Sequence, residues 1–443
     1  MQSFFKRNIM KFRTTMLLLT VVTVMPTKAQ TEQKTLTVDE LFQLIESNSK
    51  TLQVQKTSVE FANKGIEAAR AERLPDVGAQ ASVSYNGNVL ISDRDFSDMH
   101  GYSSPHLGTA FTLEAQQVVY AGGAIDAGIR MAELGKLQAQ TGLELTRQQQ
   151  RFLGLGQFLD LCKLKNRMQV YEENIRTTQK LIDDIRAKQA QGMALKNDVT
   201  RYELQMESLR LGLRKLTDQR AILNHQLANQ LGLFNVVLVP MESDIFDVSE
   251  HPVSSPSEAS YSTSPLLEQA RLNTLMSEQQ LRLAKSDMLP KVSLFAADQL
   301  NGPFTYDIPP KDINVNFWYV GVGLRYSISS LFKQNKKVRQ AAMANRQSIE
   351  SQMVTDESLN NQMQQAWTLY QQAFAELDTQ RKSVQLAQQN YEVVNERYMA
   401  QLALVTDMLD ASNMKLNAEL SEVDARINIA YAYYRMQYIA GKL

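Results

Sequence analysis

Proline placement constrains this 443-residue chain more than any other feature. None of its eleven prolines lies within residues 106–239 or 311–443. A proline in a helix interior costs about 3 kcal/mol, so these two stretches of nearly equal length are where long helices can form. Each is preceded by a strand-like region and a Leu-Pro step, Leu74-Pro75 in one case and Leu289-Pro290 in the other. The chain reads as two copies of one unit, strands followed by long helices.

The duplication holds residue by residue. Leu161, Met168, Ile175 and Ile182 recur every seven positions, and so do Tyr370, Leu377, Val384, Tyr391 and Tyr398. The two series are offset by 209 (370 − 161), and the same offset joins Leu195 to Leu404 and Asp198 to Asp407. Upstream, Arg73-Leu74-Pro75-Asp76-Val77 matches Met288-Leu289-Pro290-Lys291-Val292 at an offset of 215 (290 − 75). The drift between the two offsets falls in loops, where length changes are tolerated. Heptad spacing points to coiled-coil packing between neighbouring helices. A helix over about 122–191 would be a rod of roughly 105 Å. The shorter helices over about 50–73 and 195–231, stacked end to end, nearly match it. The resulting organisation is a first repeat over 30–231, a Pro/Ser-rich linker over 232–263 and a second repeat over 264–443.

Four segments carry the period of a strand: about 76–86, 109–120, 291–299 and 317–329. In the first, Ala79, Ala81, Val83 and Tyr85 alternate with Gln80, Ser82, Ser84 and Asn86. In the last, Trp318, Val320, Val322, Leu324, Tyr326 and Ile328 alternate with Tyr319, Gly321, Gly323, Arg325, Ser327 and Ser329. That is one apolar and one wet face. Strands of about ten residues suit a tilted membrane crossing, and Tyr85, Phe111, Phe317, Trp318, Tyr319 and Tyr326 would supply aromatic girdles. Four strands cannot close a membrane barrel, for which the smallest number is eight. Transmembrane strands would therefore require several chains to share one barrel, with Arg325 a candidate for its lumen. The other reading is a soluble four-stranded sheet packed on one face. The long polar loops 87–108 and 301–316 and the leader described next favour the first.

Residues 1–29 read as a secretory signal peptide, with Lys6, Arg7, Lys11 and Arg13 before a short apolar run and Thr27-Lys28-Ala29 at the cleavage site. The chain has 47 basic and 47 acidic residues; without this segment 42 basic residues remain, a balance of −5. A nucleic-acid binder would carry a basic surplus. The single cysteine, Cys162, sits in a helical pattern and reads as a small packed residue. His100, His106, His225 and His251 lack metal-ligand spacing, and no nucleophile–base arrangement stands out. Neither an enzyme nor a cofactor or metal is expected.

Taken in order, these features resemble the TolC family of outer-membrane efflux channels. The resemblance rests on the leader, the paired Leu-Pro turns and Tyr120-Ala121-Gly122-Gly123 after the second strand. It rests further on the twin turns at 192–199 (Gly192 to Val199) and 402–410 (Leu402 to Asp410), and it covers essentially the whole mature chain. It implies a mainly α protein with a small β part, trimerising into a 12-stranded β-barrel on a 12-helix α-barrel. It further implies a Gram-negative outer membrane with lipid around the barrel, and helices reaching into the periplasm. There an adaptor and an inner-membrane RND or ABC pump would deliver substrate to a passive duct. Alternatives are a duct for type I protein secretion and a periplasmic coiled-coil scaffold without membrane strands. Family aspartates constrict the tunnel at the periplasmic tip, and by motif Asp407 and Asp410 take those positions, with Asp198 the first-repeat equivalent. Their i, i+3 spacing puts Asp407 and Asp410 on one helical face, which in a trimer would stack carboxylate rings that favour cations. The other reading is a carboxylate pair favoured by the helix dipole. Some members place an arginine just before this pair, where this chain has Ala403. Lys333, Lys336 and Lys337, just past the last strand, fit either lipid headgroups or a solvated helix start.

Overall fold

The computed structural model describes residues 32–242 and 261–443. The leader at 1–29, most of the segment read as a linker and His251 lie outside the described residues. The chain runs β1 (Glu32–Leu36), α1 (Val38–Asn48), α2 (Lys50–Ala71), β2 (Asp76–Tyr85), β3 (Val89–Ile91), β4 (His100–Tyr102), β5 (Leu107–Tyr120), α3 (Ala124–Ala190), α4 (Lys196–Gln230) and β6 (Val236–Pro240). It continues with α5 (Pro265–Ser286), β7 (Lys291–Gly302), β8 (Val315–Arg325), α6 (Ser330–Met399) and α7 (Val405–Ile439).

The proline-free stretches contain the two longest helices, α3 of 67 and α6 of 70 residues, each about 100 Å at 1.5 Å per residue. Helix α1 starts where Thr37 Oγ1 accepts the Glu40 N–H at 3.2 Å. The chain breaks between α1 and α2 at Ser49, whose extended ψ of 116° ends α1 and whose hydroxyl caps α2 at Leu52. Two short helices stack end to end on each side of mid-height. Asn48 Nδ2 at the end of α1 donates to Leu231 O just past α4, at 2.7 Å. Thr263 Oγ1, just before α5, donates to Ala440 O just past α7, at 2.9 Å.

The helices lie side by side as an open layer four wide. Above mid-height the packing order is α2–α3–α5–α6, and below it α4–α3–α7–α6. Strands β2–β5–β7–β8 form an antiparallel sheet in the matching order. The duplication is visible in its register: Asp76 faces Gln116 in the first repeat and Lys291 faces Arg325 in the second, positions related by the two sequence offsets. Strand β8 stops at Arg325 and not at 329, while β7 runs on to Gly302.

Apolar side chains gather between helices in successive clusters. At mid-height Leu41, Ile45, Leu155, Phe158, Cys162 and Leu227 are fully buried. Leu359, Met363 and Tyr370 pack on Ile429 and Met436, and Leu209, Leu416 and Leu420 follow below. The mid-height cluster is closed by strands the sequence did not suggest. Strand β6, inside the segment read as linker, pairs in parallel with β1, Glu32 opposite Val236 and Leu36 opposite Pro240. Glycine is required at Gly122, where φ is 65° and a Cβ would meet Ser286 O at 2.7 Å. There the chain turns from β5 into α3 against the end of α5.

Candidate functional site

Two regions carry the chemistry, one at each end of the helical layer. At the sheet end, alternation makes two unlike faces. One collects Val77, Ala81, Val83 and Tyr85 of β2, Phe111 and Leu113 of β5, Leu294 and Leu300 of β7, and Trp318, Val320, Val322 and Leu324 of β8, all on one side by register. Nothing among the described residues covers it. Val83 is 74% exposed, Trp318 72% and Val320 70%. Burying one such side chain is worth about 1.5–3 kcal/mol, so a bare face of this extent is unfavourable in water and demands an apolar cover.

The opposite face carries Gln80, Ser82, Thr112, Glu114, Gln299, Gly321, Gly323 and Arg325, with three aromatics, Phe295, Phe317 and Tyr319, among them. Phe295 spreads over Gly321 and Gly323, its ring 3.4 Å from where a Cβ on Gly323 would lie, and stands edge-on to Tyr319 at 6.0 Å between centroids. Arg325 lies on this face at the helix-proximal end, exposed and without an ion pair among the described residues. Asp298 is the charge on the apolar face; Asn316 Nδ2 donates to it at 2.9 Å near the loop end of the sheet. Beyond, the loop between β2 and β5 is folded, with β3 and β4 paired as a small hairpin. His106 stacks on Tyr85 at 5.1 Å and its Nδ1 lies 2.9 Å from Asn86 O. His100 Nε2 lies 3.1 Å from Asp98. Among the described residues no group of metal-binding side chains forms, and no helix is long and apolar enough to cross a membrane.

At the far tip two helical hairpins meet. In the first, α3 ends at Gly192 with φ 76°; in the second, the position 209 residues on is Gln401, with φ 63°. A left-handed residue other than glycine costs about 1–2 kcal/mol. Gln401 recovers part of this through its side chain, whose Nε2 donates to Met193 O at 3.2 Å across the hairpins. Lys188 Nζ donates to Met399 O at 3.1 Å, and Gln205 Nε2 donates to Asn413 Oδ1 at 2.7 Å. Beneath these bonds Leu181, Ile182, Ile185, Tyr202, Val405 and Met408 pack together. Burial raises the Tyr202 hydroxyl above the usual phenol range, helped by nearby Tyr398, Tyr391 and Asp198; Lys188 sits 5.9 Å from the Tyr398 ring centre.

The three aspartates are placed unequally. Asp198 Oδ2 accepts the Leu195 N–H at 3.2 Å and Asp407 Oδ2 accepts the Leu404 N–H at 3.0 Å. Both thus cap the first turn of their helices, α4 and α7, in twin positions, and favour the positive end of the dipole. Asp410, one turn further along α7, is exposed and has no partner among the described residues. Asp198 lines a cleft of about 660 Å³ between the hairpins together with Arg201, Ala403, Thr406 and Lys188. The sequence reading did not pick out Lys188, Gln205, Gln401 or Asn413. Of these, Gln401 alone had a signal, since it occupies the position of Gly192.

The family described as outer membrane efflux protein matches residues 41–233. No curated protein matches the sequence. Among solved structures the chain is similar to the outer membrane protein VceC of Vibrio cholerae (TM-score 0.73, 15% identity, 91% of this chain and 96% of that one). It is similar to CusC (TM-score 0.78, 14% identity, 91% of each chain), whose structures concern transmembrane channel formation. It is also similar to the CmeC outer membrane channel of Campylobacter jejuni (TM-score 0.73, 14% identity, 91% and 85%). The likeness to the outer membrane efflux protein family is carried by residues 41–233, and over its described length the chain has the fold of these outer-membrane proteins.

Proposed function

We propose that three copies close into a 12-stranded barrel set in the outer membrane on a 12-helix tunnel reaching into the periplasm. This is the exit duct of a tripartite efflux system, fed by a periplasmic adaptor and an inner-membrane RND or ABC pump. The observation that carries the reading is the bare apolar face of the four-stranded sheet, which fits lipid. Backbone pairing supports the ring: β2 and β8 are open edges, and a membrane sheet must leave no unpaired edge. The helical layer has open flanks on the same two sides, α2 with α4 and α6, so one rotation closes both layers.

In this reading Arg325 faces the barrel lumen, and Asp407 and Asp410 line the narrowest part of the closed tunnel, with Asp198 behind them. Conduction is passive, and the protein performs no covalent chemistry. The geometry divides the aspartates' work. Asp410 is free to act on ions, whereas Asp407 and Asp198 also hold their helix starts.

Single-channel conductance of the mature protein in a planar bilayer tests this, with wild type beside Asp407→Ala/Asp410→Ala and Asp410→Asn alone. We expect small cation-preferring steps in wild type and a loss of cation preference in both variants. Steps unchanged by either variant would remove the aspartates from the constriction. A wild-type protein that floats with no membrane fraction would sink the channel reading itself.

A further inference from the structure

We propose that the two repeats within one chain already display the register by which neighbouring copies join. Specifically, β8 of one copy pairs with β2 of the next so that Val322 lies opposite Val83 and Arg325 opposite Gln80. This rests on the ring proposed above and specifies its seam.

The argument uses two offsets and one observed pairing. Strand β5 of the first repeat corresponds to β8 at an offset of 209, and β7 of the second corresponds to β2 at 215. The Leu-Pro step beside β2 and β7 sets the offset of 215 (290 − 75), and the intra-repeat pairings, in which Asp76 with Gln116 maps onto Lys291 with Arg325, then require 209 (325 − 116) for β5 and β8. The pairing between repeats is also observed. Leu113 faces Asp298, Gln116 faces Phe295 and Gln117 faces Leu294. Carrying β5 forward and β7 back gives the seam between copies: Val322 opposite Val83, Arg325 opposite Gln80 and Tyr326 opposite Ala79. Val320 then falls opposite Tyr85 and Leu324 opposite Ala81.

The result is consistent in ways the mapping did not impose. Every apolar-face residue meets an apolar-face residue of the other edge, which a one-residue slip would reverse. Gly321 and Gly323 fall opposite Ser84 and Ser82 on the wet face. The same mapping extends to the helices. Gln138 Nε2 of α3 bonds Asn273 of α5, and its image is Gln347 of α6 beside Ser58 of the neighbouring copy's α2. Arg130 and Arg282 line one groove between α3 and α5; their images are Arg339 and Glu67. That arginine pair inside a chain thus becomes an Arg–Glu pair between copies, while Asp126 and Lys285 of the same groove map onto Asn335 and Arg70. Arg339 is exposed and forms no ion pair among the described residues, and Glu67 is held only by an exposed Lys64 on its own helix.

Cysteine pairs in the full chain, assembled in its native outer membrane, test the register. Val322→Cys is combined with Val83→Cys, with Ala81→Cys or with Tyr85→Cys, and trimer content is checked by sedimentation. Within one chain β2 and β8 are separated by β5 and β7, so any bond formed is between copies. Cys162 is buried at mid-height and common to all variants. A slip of two residues moves opposed Cα atoms apart by about 7 Å along the strand, beyond disulfide reach. We expect the Val83 pair to give about tenfold more covalent dimer and trimer on a denaturing gel than either comparator. Preference for Ala81 or Tyr85 would overturn the register and leave the ring intact. No bond from any pair in a verified trimer would overturn the β8–β2 seam. A monomeric wild type would overturn the ring itself.

Discussion

The sheet end and the tip end hold themselves together by opposite means. At the sheet, each chain satisfies its own interior ladders and leaves its apolar face and both edges for something outside the chain. At the tip, few contacts wait for a partner. The two hairpins are tied to each other by the Lys188, Gln205 and Gln401 hydrogen bonds over a small apolar cluster. A membrane-set ladder is expensive to break, because freed backbone groups find no water. The tip bonds are a handful of neutral or carbonyl-directed contacts worth about 0.5–1.5 kcal/mol each. In the duct proposed above, a permanent wall and a releasable closure would thus be distinguished by the kind of bond used.

Three variants press on this contrast, beginning with the largest expected effect. Val322→Arg puts a charge on the apolar face at a cost of about 2–4 kcal/mol per copy if lipid covers it. We expect the outer-membrane trimer to be nearly lost while the helices still form; wild-type levels in the membrane fraction would mean the face meets something other than lipid. Loosening the tip should matter less for assembly and more for conduction. Lys188→Met with Gln401→Gly removes two cross-hairpin bonds and relieves the left-handed strain at 401. Larger or more frequent openings in a bilayer recording, with unchanged trimer yield, is the expected outcome. A pore of unaltered size would show that the hairpins are held by their apolar cluster alone.

The smallest effect concerns mid-height. Burial pushes the Glu46 carboxyl up, but the Arg147 hydrogen bond at 2.8 Å and its charge outweigh this and hold it below the usual carboxylate range. A lowered folded value means the pair stabilises above the unfolded carboxylate range, about pH 4.3, and that contribution fades as pH falls through the folded value. Glu46→Gln should therefore melt below wild type at pH 7 and converge on it at a pH below the folded carboxyl's own value. A gap of equal size at both would assign the loss to packing.

Sequence legibility followed the length over which a pattern repeats. Strand β8 and helix α3 each carry many periods, so their extent could be read to within a few residues. Strands β1 and β6 have five residues each and pair across some two hundred positions of sequence, which no local period records. The hairpin of β3 and β4 hides in a loop whose polarity is what a solvated loop would have. At the candidate site the twin aspartates were legible because they repeat, and so was their alternative role at a helix start. The cross-hairpin bonds were not. Lys188 and Gln205 are unremarkable polar residues on helices rich in them, and their significance comes only from what lies opposite.

The end-to-end stacking of the short helices has a mechanical consequence. Neither α2 with α4 nor α5 with α7 is continuous through mid-height as a helix; Asn48 bonds Leu231 at one joint and Thr263 bonds Ala440 at the other. Helices α3 and α6 alone run unbroken from the sheet to the tip. Twist applied at the tip is therefore carried upward by two rigid shafts per chain, while the remaining rods can slip at a joint. In the duct proposed above, this would let the lower tube dilate without forcing the barrel above it to change its strand pairing.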